Sequence, residues 1–263
     1  MNILVCLKLI SQAQFSDLIN EREGRLSGGD LSINPADLYA LELALRIKEE
    51  QAGTMVTVVT MAPAYADHFL REALAMGADR AVLITDSSMA GSDTLITARI
   101  LAAAIRRLPK QDLILCGKKA LDSETGHVGP QLSELLSIPI ATNVVAFSAA
   151  GKHVKLVRAG DVGQYRYEGS IPCILTICNG NEMVRKPTIL GLRKSRGAEI
   201  IVLNLANLEL DPEEVGICGS PTRTVSVSSI CFRQVANRTL TDIESGVKEI
   251  LMLAQRRAVQ ENE

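Results

Sequence analysis

The sequence predicts an α/β fold: a parallel sheet flanked by helices, followed by an extended C-terminal arm. Three observations support this prediction. Segments with strand and helix patterns alternate over the first half of the chain. The first apolar run, residues 2–9, is nearly continuous, as expected of a strand covered on both faces. Helical segments of roughly 10–15 residues separate the strands, which is typical of right-handed βαβ units.

Four strand–helix steps can be identified between residues 2 and 136. Asn34 can cap the first helix, Pro35 suits its first position, and Asp37 adds negative charge to the first turn. Glycines end the first two helices, where a left-handed backbone is needed. The predicted strands are 2–9, 54–61, 80–84 and 112–116, and the predicted helices begin at residues 35, 64, 94 and 128.

The pattern changes after about residue 145. Residues 152–160 and 164–169 predict an antiparallel pair joined by a glycine-containing turn, and 171–178 is a further strand. A short strand is expected at 199–205. Residues 206–230 show little periodicity, and an amphipathic helix is predicted at 241–260. We therefore divide the chain into a core of residues 1–205 and an arm of residues 206–263 that docks on another surface.

Composition excludes several classes of protein. The net charge is −2, aromatic residues make up 3% and Trp is absent, which argues against a nucleic-acid surface. No apolar run approaches the roughly 18 residues of a membrane span, and the N-terminus lacks the features of a signal peptide, so we expect no membrane insertion. The six cysteines form no C-x-x-C pair, which indicates reduced thiols in a cytoplasmic protein. The three histidines are scattered, so no metal site is expected.

Four segments follow the predicted strands and should meet at one edge of the sheet. They are residues 6–8, 61–63, 85–94 and 117–129. Two of them lead directly into helix N-termini, whose free N–H groups attract phosphate. The sequence contains neither G-x-G-x-x-G nor the phosphate loop G-x-x-x-x-G-K-[ST]. The edge is therefore predicted to bind an anion or a nucleotide, with an acidic capped loop that binds nothing as the alternative.

The loop at 117–129 is the most informative of the four segments. Its glycines permit close backbone approach, and its hydroxyl groups can hydrogen bond. Asp122 and Glu124 would repel a phosphate, so we expect them to accept hydrogen bonds from a ribose or to cap the backbone. The hydroxyl and glycine positions of this loop are Ser123, Thr125, Gly126 and Gly129.

These residues match a known family. The chain resembles the beta subunits of electron transfer flavoproteins over almost its full length. The resemblance implies an adenine-nucleotide-binding, Rossmann-like domain at 1–205, and an arm at 206–263 that docks on an alpha subunit. The matching segments, in chain order, are 4–8, 33–50, 71–86, 90–105, 112–132 and 216–224.

The resemblance also implies a function. Family members pass electrons between dehydrogenases of the acyl-CoA type and an acceptor, as electron-carrier subunits rather than stand-alone enzymes. The alpha subunit carries FAD. The beta subunit holds AMP in most respiratory members and a second FAD in electron-bifurcating members, which draw on NADH. The segment "AGSDTLITA" at 90–98 looks like the bifurcating type, so we expect FAD.

An alternative function belongs to another class: a nucleotide-binding regulatory or stress-type domain with no redox role. The α/β half alone would permit it. The arm argues against it, because a lone nucleotide-binding domain has no use for a long tail that ends in an amphipathic helix. The apolar stripe of that helix is Ile243, Val247, Ile250, Leu251 and Ala254.

The resemblance assigns two sets of residues. Ile189 would be the apolar anchor for the dehydrogenase, and Arg193, Lys194 and Arg196 would steer an acidic partner. The second set would bind the nucleotide, with its phosphate against the backbone of residues 126–128. This set is Cys6, Asn34, Pro35, Ala36, Asp37, Met61, Ser92, Asp93, Thr94, Gly117, Asp122, Ser123, Glu124, Thr125, Gly126, His127 and Val128.

The loop departs from the family's usual D-G-D-T-x-Q-V-G-P at three positions. Ser123 stands in place of a glycine, Glu124 in place of an aspartate and His127 in place of a glutamine. The phosphate contacts assigned to the backbone of this loop do not depend on these side chains.

Overall fold

A computed structural model of the protein describes residues 1–11, 31–178, 180, 183–223 and 242–260. Within these ranges, nine strands form one sheet in the order β11-β5-β4-β1-β6-β10-β7-β8-β9. A separate antiparallel pair joins β2 and β3. The strands are β1 Asn2–Cys6, β2 Leu9–Ser11, β3 Leu31–Ile33, β4 Met55–Met61, β5 Arg80–Ile84, β6 Leu113–Gly117, β7 Ile140–Ala150, β8 His153–Ala159, β9 Gln164–Ser170, β10 Cys173–Ile177 and β11 Ile200–Leu203.

Helices cover both faces of the sheet. One core cluster contains Leu41 of α1 and Leu70 of α2, and the other contains Ile100 of α3 and Leu132 of α4. The strands between these layers are buried on both faces, which explains their near-continuous apolar sequences. The helices are α1 Pro35–Glu50, α2 Asp67–Met76, α3 Thr94–Arg107, α4 Val128–Leu136, α5 Ile189–Arg196, α6 Leu205–Leu208, α7 Gly216–Gly219 and α8 Ile243–Gln260.

The predicted fold class is confirmed. β1 pairs in parallel with both β4 and β6, and β10 pairs in parallel with β6. The antiparallel pair predicted at 152–160 and 164–169 is also present, as β8 and β9. Within the described ranges, none of the helices combines the length and apolar character that a bilayer span requires.

Three elements differ from the sequence prediction. β7 is eleven residues long and extends the sheet from 140, before the change of pattern that was placed near 145. The predicted first strand at 2–9 ends at Cys6, and Leu9 instead begins β2, which pairs antiparallel with β3. Residues 189–196 form helix α5. The sequence did not predict this helix because Pro187 and Gly191 are both poor helix formers. Pro187 lies just outside the helix, since Thr188 is its N-cap residue.

The chain divides into compact units at 1–227 and 228–263, whereas the sequence placed the boundary at 205/206. Residues just after 205 belong to the first unit because Leu208 and Val215 are buried in its core. The second unit contributes α8 to the described residues. The middle of the predicted arm, 224–241, and the side chain of Ala254 lie outside the described part of the chain. Docking of the arm on an alpha subunit stays a prediction.

Candidate functional site

The sheet reverses its winding between β1 and β6. From β1 the chain crosses through α1 to β4 on one side, and from β5 it crosses through α3 to β6 on the other side. Helices α1 and α3 therefore lie on opposite faces, and a crevice opens beyond the carboxyl ends of β1 and β6. A cavity of about 610 Å³ occupies this position, a size within the range of small-molecule and cofactor sites.

The loop between β6 and α4 forms one wall of the cavity. Gly126 has φ +66°, a left-handed backbone that glycine adopts without strain. Helix α4 starts two residues later, at Val128, and no side chain caps its N-terminus. Its first N–H groups therefore remain available, and a helix N-terminus favours negative charge. This wall can bind a phosphate group through backbone atoms.

Two buried polar residues, one just before α1 and one in its first turn, hold this edge together. Asp37, 5% exposed, accepts a hydrogen bond from Gly117 N at 2.7 Å through Oδ1 and one from Lys8 N at 2.8 Å through Oδ2. Asn34 Nδ2 donates to Lys119 O at 3.1 Å, and its Oδ1 accepts from Leu121 N at 3.3 Å. Burial raises the pKa of Asp37 to about 6, while its hydrogen bonds oppose the rise. Asp37 therefore ties together the ends of β1 and β6.

The acidic side chains of the loop are neutralised within the protein. Lys8 Nζ lies 2.6 Å from Asp122 Oδ1 and 3.2 Å from Ser123 Oγ. Lys119 Nζ lies 2.7 Å from Glu124 Oε1. Neither carboxylate lines the cavity, whereas both lysines do. The two ion pairs neutralise Asp122 and Glu124 and so reduce the repulsion that these carboxylates would exert on an anionic ligand.

The N-terminus of α3 forms the opposite wall. Asp93 caps this helix by accepting from Ile96 N at 3.0 Å, and its second oxygen accepts from Thr222 N at 3.1 Å and Thr222 Oγ1 at 2.8 Å. Ser92 Oγ donates to Met89 O at 2.7 Å and accepts from Gly216 N at 3.1 Å. These polar atoms therefore fasten the segment that contains α7 to the rim of the cavity.

The floor of the cavity is largely apolar. Cys6 and Cys116 follow paired residues on adjacent strands, and Met61, Thr97 and Leu101 complete this surface. The hydrogen bond with Cys6, together with burial, raises the pKa of the Cys116 thiol, so Cys116 stays protonated at neutral pH. Within the described residues, no cluster of three or more His, Cys, Asp or Glu side chains could hold a metal ion.

The structure brings most of the sequence-predicted nucleotide residues to one cavity. The exceptions are Pro35, Ala36, Asp122 and Glu124, which do not line it. Sequence reasoning had placed Leu7 and Lys8 at this edge without assigning them to the site, and it gave Thr222 no role. Lys118, Lys119, Ala120 and Gly129 also line the cavity and lie in the loop that was predicted to reach it. The lining residues that were not assigned to the site from the sequence are Leu7, Lys8, Leu9, Thr97, Leu101, Cys116 and Thr222.

The predicted partner residues lie elsewhere, on α5. Ile189 is 89% exposed, and Arg193, Lys194 and Arg196 are exposed as well. None of the four lines the cavity. The structure therefore separates the two sets of residues that the sequence assigned to different ligands.

The structure shows a doubly wound sheet with an uncapped helix N-terminus beside its switch point, which is the place where open α/β sheets bind their ligands. Comparison with known proteins identifies the family. A family model described as electron transfer flavoprotein domain matches residues 27–208. The chain belongs to the electron transfer flavoprotein family, and its function is electron transfer rather than nucleotide-dependent regulation.

Three relatives show how far the similarity extends. The electron transfer flavoprotein subunit beta of Thermoanaerobacterium thermosaccharolyticum is 39% identical over 231 residues, covering 87% of this chain and 88% of the relative. The caffeyl-CoA reductase-Etf complex subunit CarD of Acetobacterium woodii is 36% identical, covering 85% and 86%. The acryloyl-CoA reductase electron transfer subunit gamma of Anaerotignum propionicum is 37% identical, covering 84% and 86%.

Proposed function

We propose that this chain is the beta subunit of a heterodimeric electron transfer flavoprotein and that its cavity binds FAD. The observation that carries the proposal is the extent of the cavity, which runs from the N-terminus of α4 to the N-terminus of α3. An AMP molecule would use the wall formed by the loop at 117–128. The additional wall formed by α3 offers room for the rest of a dinucleotide.

The loop wall suits the pyrophosphate of the ligand. The uncapped N-terminus of α4 and the left-handed Gly126 present backbone N–H groups. Lys118 lines the same cavity and adds positive charge, while Lys8 and Lys119 line it as members of ion pairs. When bound, FAD supplies the redox chemistry, and the residues of this chain bind and orient it.

The α3 wall suits the remainder of the cofactor. Thr94, Thr97 and Leu101 follow one another along one face of α3, and Met61 lies at the end of the neighbouring strand. This surface combines hydroxyl groups with apolar side chains, as an isoalloxazine-bearing ligand requires. A second FAD would place the protein with the electron-bifurcating members of the family, which draw on NADH.

Counting the adenine nucleotides of the purified heterodimer tests the cofactor. Two FAD per heterodimer are expected after denaturation, while one FAD and one AMP would overturn the assignment. In a Thr97→Phe variant, the larger side chain should fill the α3 side of the cavity. We expect this variant to lose the FAD of the beta subunit yet to bind AMP. A matched Arg99→Phe variant, on the exposed face of the same helix, should keep both FAD molecules.

We further propose that the alpha subunit binds the C-terminal arm through the apolar stripe of α8. Ile243, Val247, Ile250 and Leu251 recur at helical spacing, so they share one face. A Val247→Asp substitution in the full chain should abolish co-purification of the alpha subunit. Met252→Asp makes the same chemical change on the opposite face and should leave the heterodimer intact. Equal recovery of both variants with the alpha subunit would contradict this role of α8.

The redox partner is proposed to be a dehydrogenase of the acyl-CoA type that docks on α5. Ile189 offers an exposed apolar anchor at the start of α5, and three exposed basic side chains lie in the last turn of the same short helix. Two relatives bear names of CoA-ester reductase complexes, which supports a partner of this class. The described cysteines carry free thiols, as expected for the cytoplasmic location that we assign to the complex.

A further inference from the structure

Helix α5 is too short to be stable by its own hydrogen bonds. It has eight residues, and isolated helices shorter than about 12–15 residues are marginal in water. It also directs Ile189, Leu190 and Leu192 toward solvent, so these apolar side chains do not anchor it to the core. Contacts on its other sides must therefore fix its position.

The N-terminal half of α5 is fixed by close backbone packing. The side chain of Thr188 caps the helix by accepting from Gly191 N at 2.9 Å. Gly191 lies against α2, where a Cβ atom would come within 2.1 Å of Ala75 O. Only glycine allows this approach, so α5 contacts the end of α2 directly.

The C-terminal end of α5 is held by a single guanidinium group. Arg71, on α2, donates from Nη1 to Ser195 O at 2.9 Å, Arg196 O at 3.2 Å and Ala198 O at 3.2 Å. Its Nε donates to Asp67 at 3.1 Å, which orients the guanidinium along α2. The last carbonyl groups of a helix lack internal partners, and a cation near them is also favoured by the helix dipole.

A third contact fixes the chain just before α5. Arg185 Nε lies 2.8 Å from Glu42 Oε2, and Arg185 also forms an ion pair with Glu49, so both contacts are with α1. Burial would raise the pKa of Glu42, but hydrogen bonds from Arg185 and Arg46 outweigh it and hold the pKa at about 2. Glu42 is therefore ionised at neutral pH, and this ion pair persists.

We propose that Arg71 is a positioning residue for redox-partner docking, acting by fixing the C-terminal turn of α5 on α2. This inference rests on the proposed role of α5 as the docking helix. The basic residues Arg193, Lys194 and Arg196 all lie in the turn that Arg71 holds. A docking surface that is already ordered avoids the entropic cost of ordering it when the partner binds. The proposed role is indirect, because Arg71 would act through α5 and not by binding the redox partner.

The test measures electron transfer from an acyl-CoA dehydrogenase of the same organism to the purified heterodimer, as a function of dehydrogenase concentration. Arg71→Met keeps the apolar stem of the side chain and removes the guanidinium. We expect the KM for the dehydrogenase to rise about fivefold, with kcat within about twofold and flavin content unchanged. Hydrogen exchange of the amides at 193–198 should become faster. Arg71→Lys, which keeps one cationic donor, should give intermediate values.

Two reference variants separate the possible failures. Arg99→Met makes the same change at an exposed arginine of α3 and should behave as the wild type. Ile189→Ala removes the proposed apolar anchor and should raise the KM about tenfold or more. If Ile189→Ala raises the KM and Arg71→Met does not, the positioning role is overturned while docking on α5 stands. If Ile189→Ala has no effect, docking on α5 itself is wrong. A loss of flavin or of kcat in Arg71→Met would show a general structural role instead.

Discussion

The loop at 117–128 and helix α5 both present basic side chains, but they use them differently. In and around the loop, Lys8 and Lys119 are paired with Asp122 and Glu124. On α5, the three basic side chains have no ion-pair partner among the residues that the structure describes, and hydrogen bonds to backbone atoms hold the helix. The basic side chains at the loop therefore form ion pairs within the protein, whereas those of α5 face solvent.

This difference corresponds to the size of the ligand that each region is proposed to bind. A small anionic ligand requires a wall of fixed shape, and ion pairs across the loop supply that shape. A protein partner approaches from a distance, and exposed charges accelerate its association. The number of basic residues alone would not distinguish the two regions, because the loop contains Lys118 and Lys119 and α5 contains Arg193, Lys194 and Arg196. The partners of each side chain do distinguish them.

The internal charges of the cavity can be probed through Asp37, where the largest effect is expected. Burial raises its pKa from 3.8 to about 6, so the folded state binds the proton more tightly than the unfolded state. The stability that this proton contributes is fully present below pH 3.8 and is lost as the pH rises through about 6. Each pKa unit corresponds to about 1.4 kcal/mol, so the loss amounts to roughly 3 kcal/mol.

An Asp37→Asn variant removes this titration. The free energy of unfolding of the variant should therefore gain roughly 3 kcal/mol relative to the wild type as the pH rises from about 4 to above 6. Urea unfolding of the heterodimer at several pH values measures the difference. Asp161→Asn, at an exposed turn, is the control and should show no gain of that size. A difference that stays constant or falls with pH would contradict the burial cost assigned to Asp37.

The sequence predicts the parallel half of the fold well because each strand there is a short apolar run between helix caps and glycines. The run 80–84 and the helix 128–136 match the observed β5 and α4 residue for residue. Helix α5 was missed for a physical reason. Contacts with α2, and with α1 just before the helix, stabilise α5, and no local sequence pattern reveals such contacts. Gly191 lowers the helix propensity of this segment, yet it is present because it packs closely against α2.

The cavity residues were likewise predictable where a local pattern places them and unpredictable where a long-range contact does. Residues that directly follow a strand were placed correctly at the edge, since all parallel strands point their carboxyl ends the same way. Thr222 reaches the cavity from far along the chain through its hydrogen bonds to Asp93, which the sequence alone does not specify. Asp122 was expected to accept a hydrogen bond from a ribose or from the backbone. The structure pairs it with the Lys8 side chain, which the sequence did not indicate, and the ribose contact stays a prediction. Sequence patterns did not predict which side chains pair with residues far away in the chain.

The smallest effect is expected for the exposed charges of α5. A Lys194→Gln variant tests their contribution to the association rate. Removing one exposed charge should slow association with the dehydrogenase about twofold to fivefold at low salt, because exposed charges act mainly on encounter rates. The effect should nearly vanish at physiological salt, where the screening length falls to about 8 Å from about 30 Å at 0.01 M. Electron-transfer rates at limiting dehydrogenase, measured at both ionic strengths, give the comparison.

The matched variant is Lys119→Gln, which removes a charge that is already paired with Glu124. It should leave the salt dependence of electron transfer unchanged and instead lower the flavin content after dialysis, because the loop loses one of the ion pairs that fix its shape. Lys194→Gln should thus change the salt dependence of electron transfer but not the flavin content, and Lys119→Gln should do the reverse. If Lys119→Gln changes the salt dependence as much as Lys194→Gln does, the loop also faces the redox partner. The claim that only the charges of α5 assist its association would then be wrong.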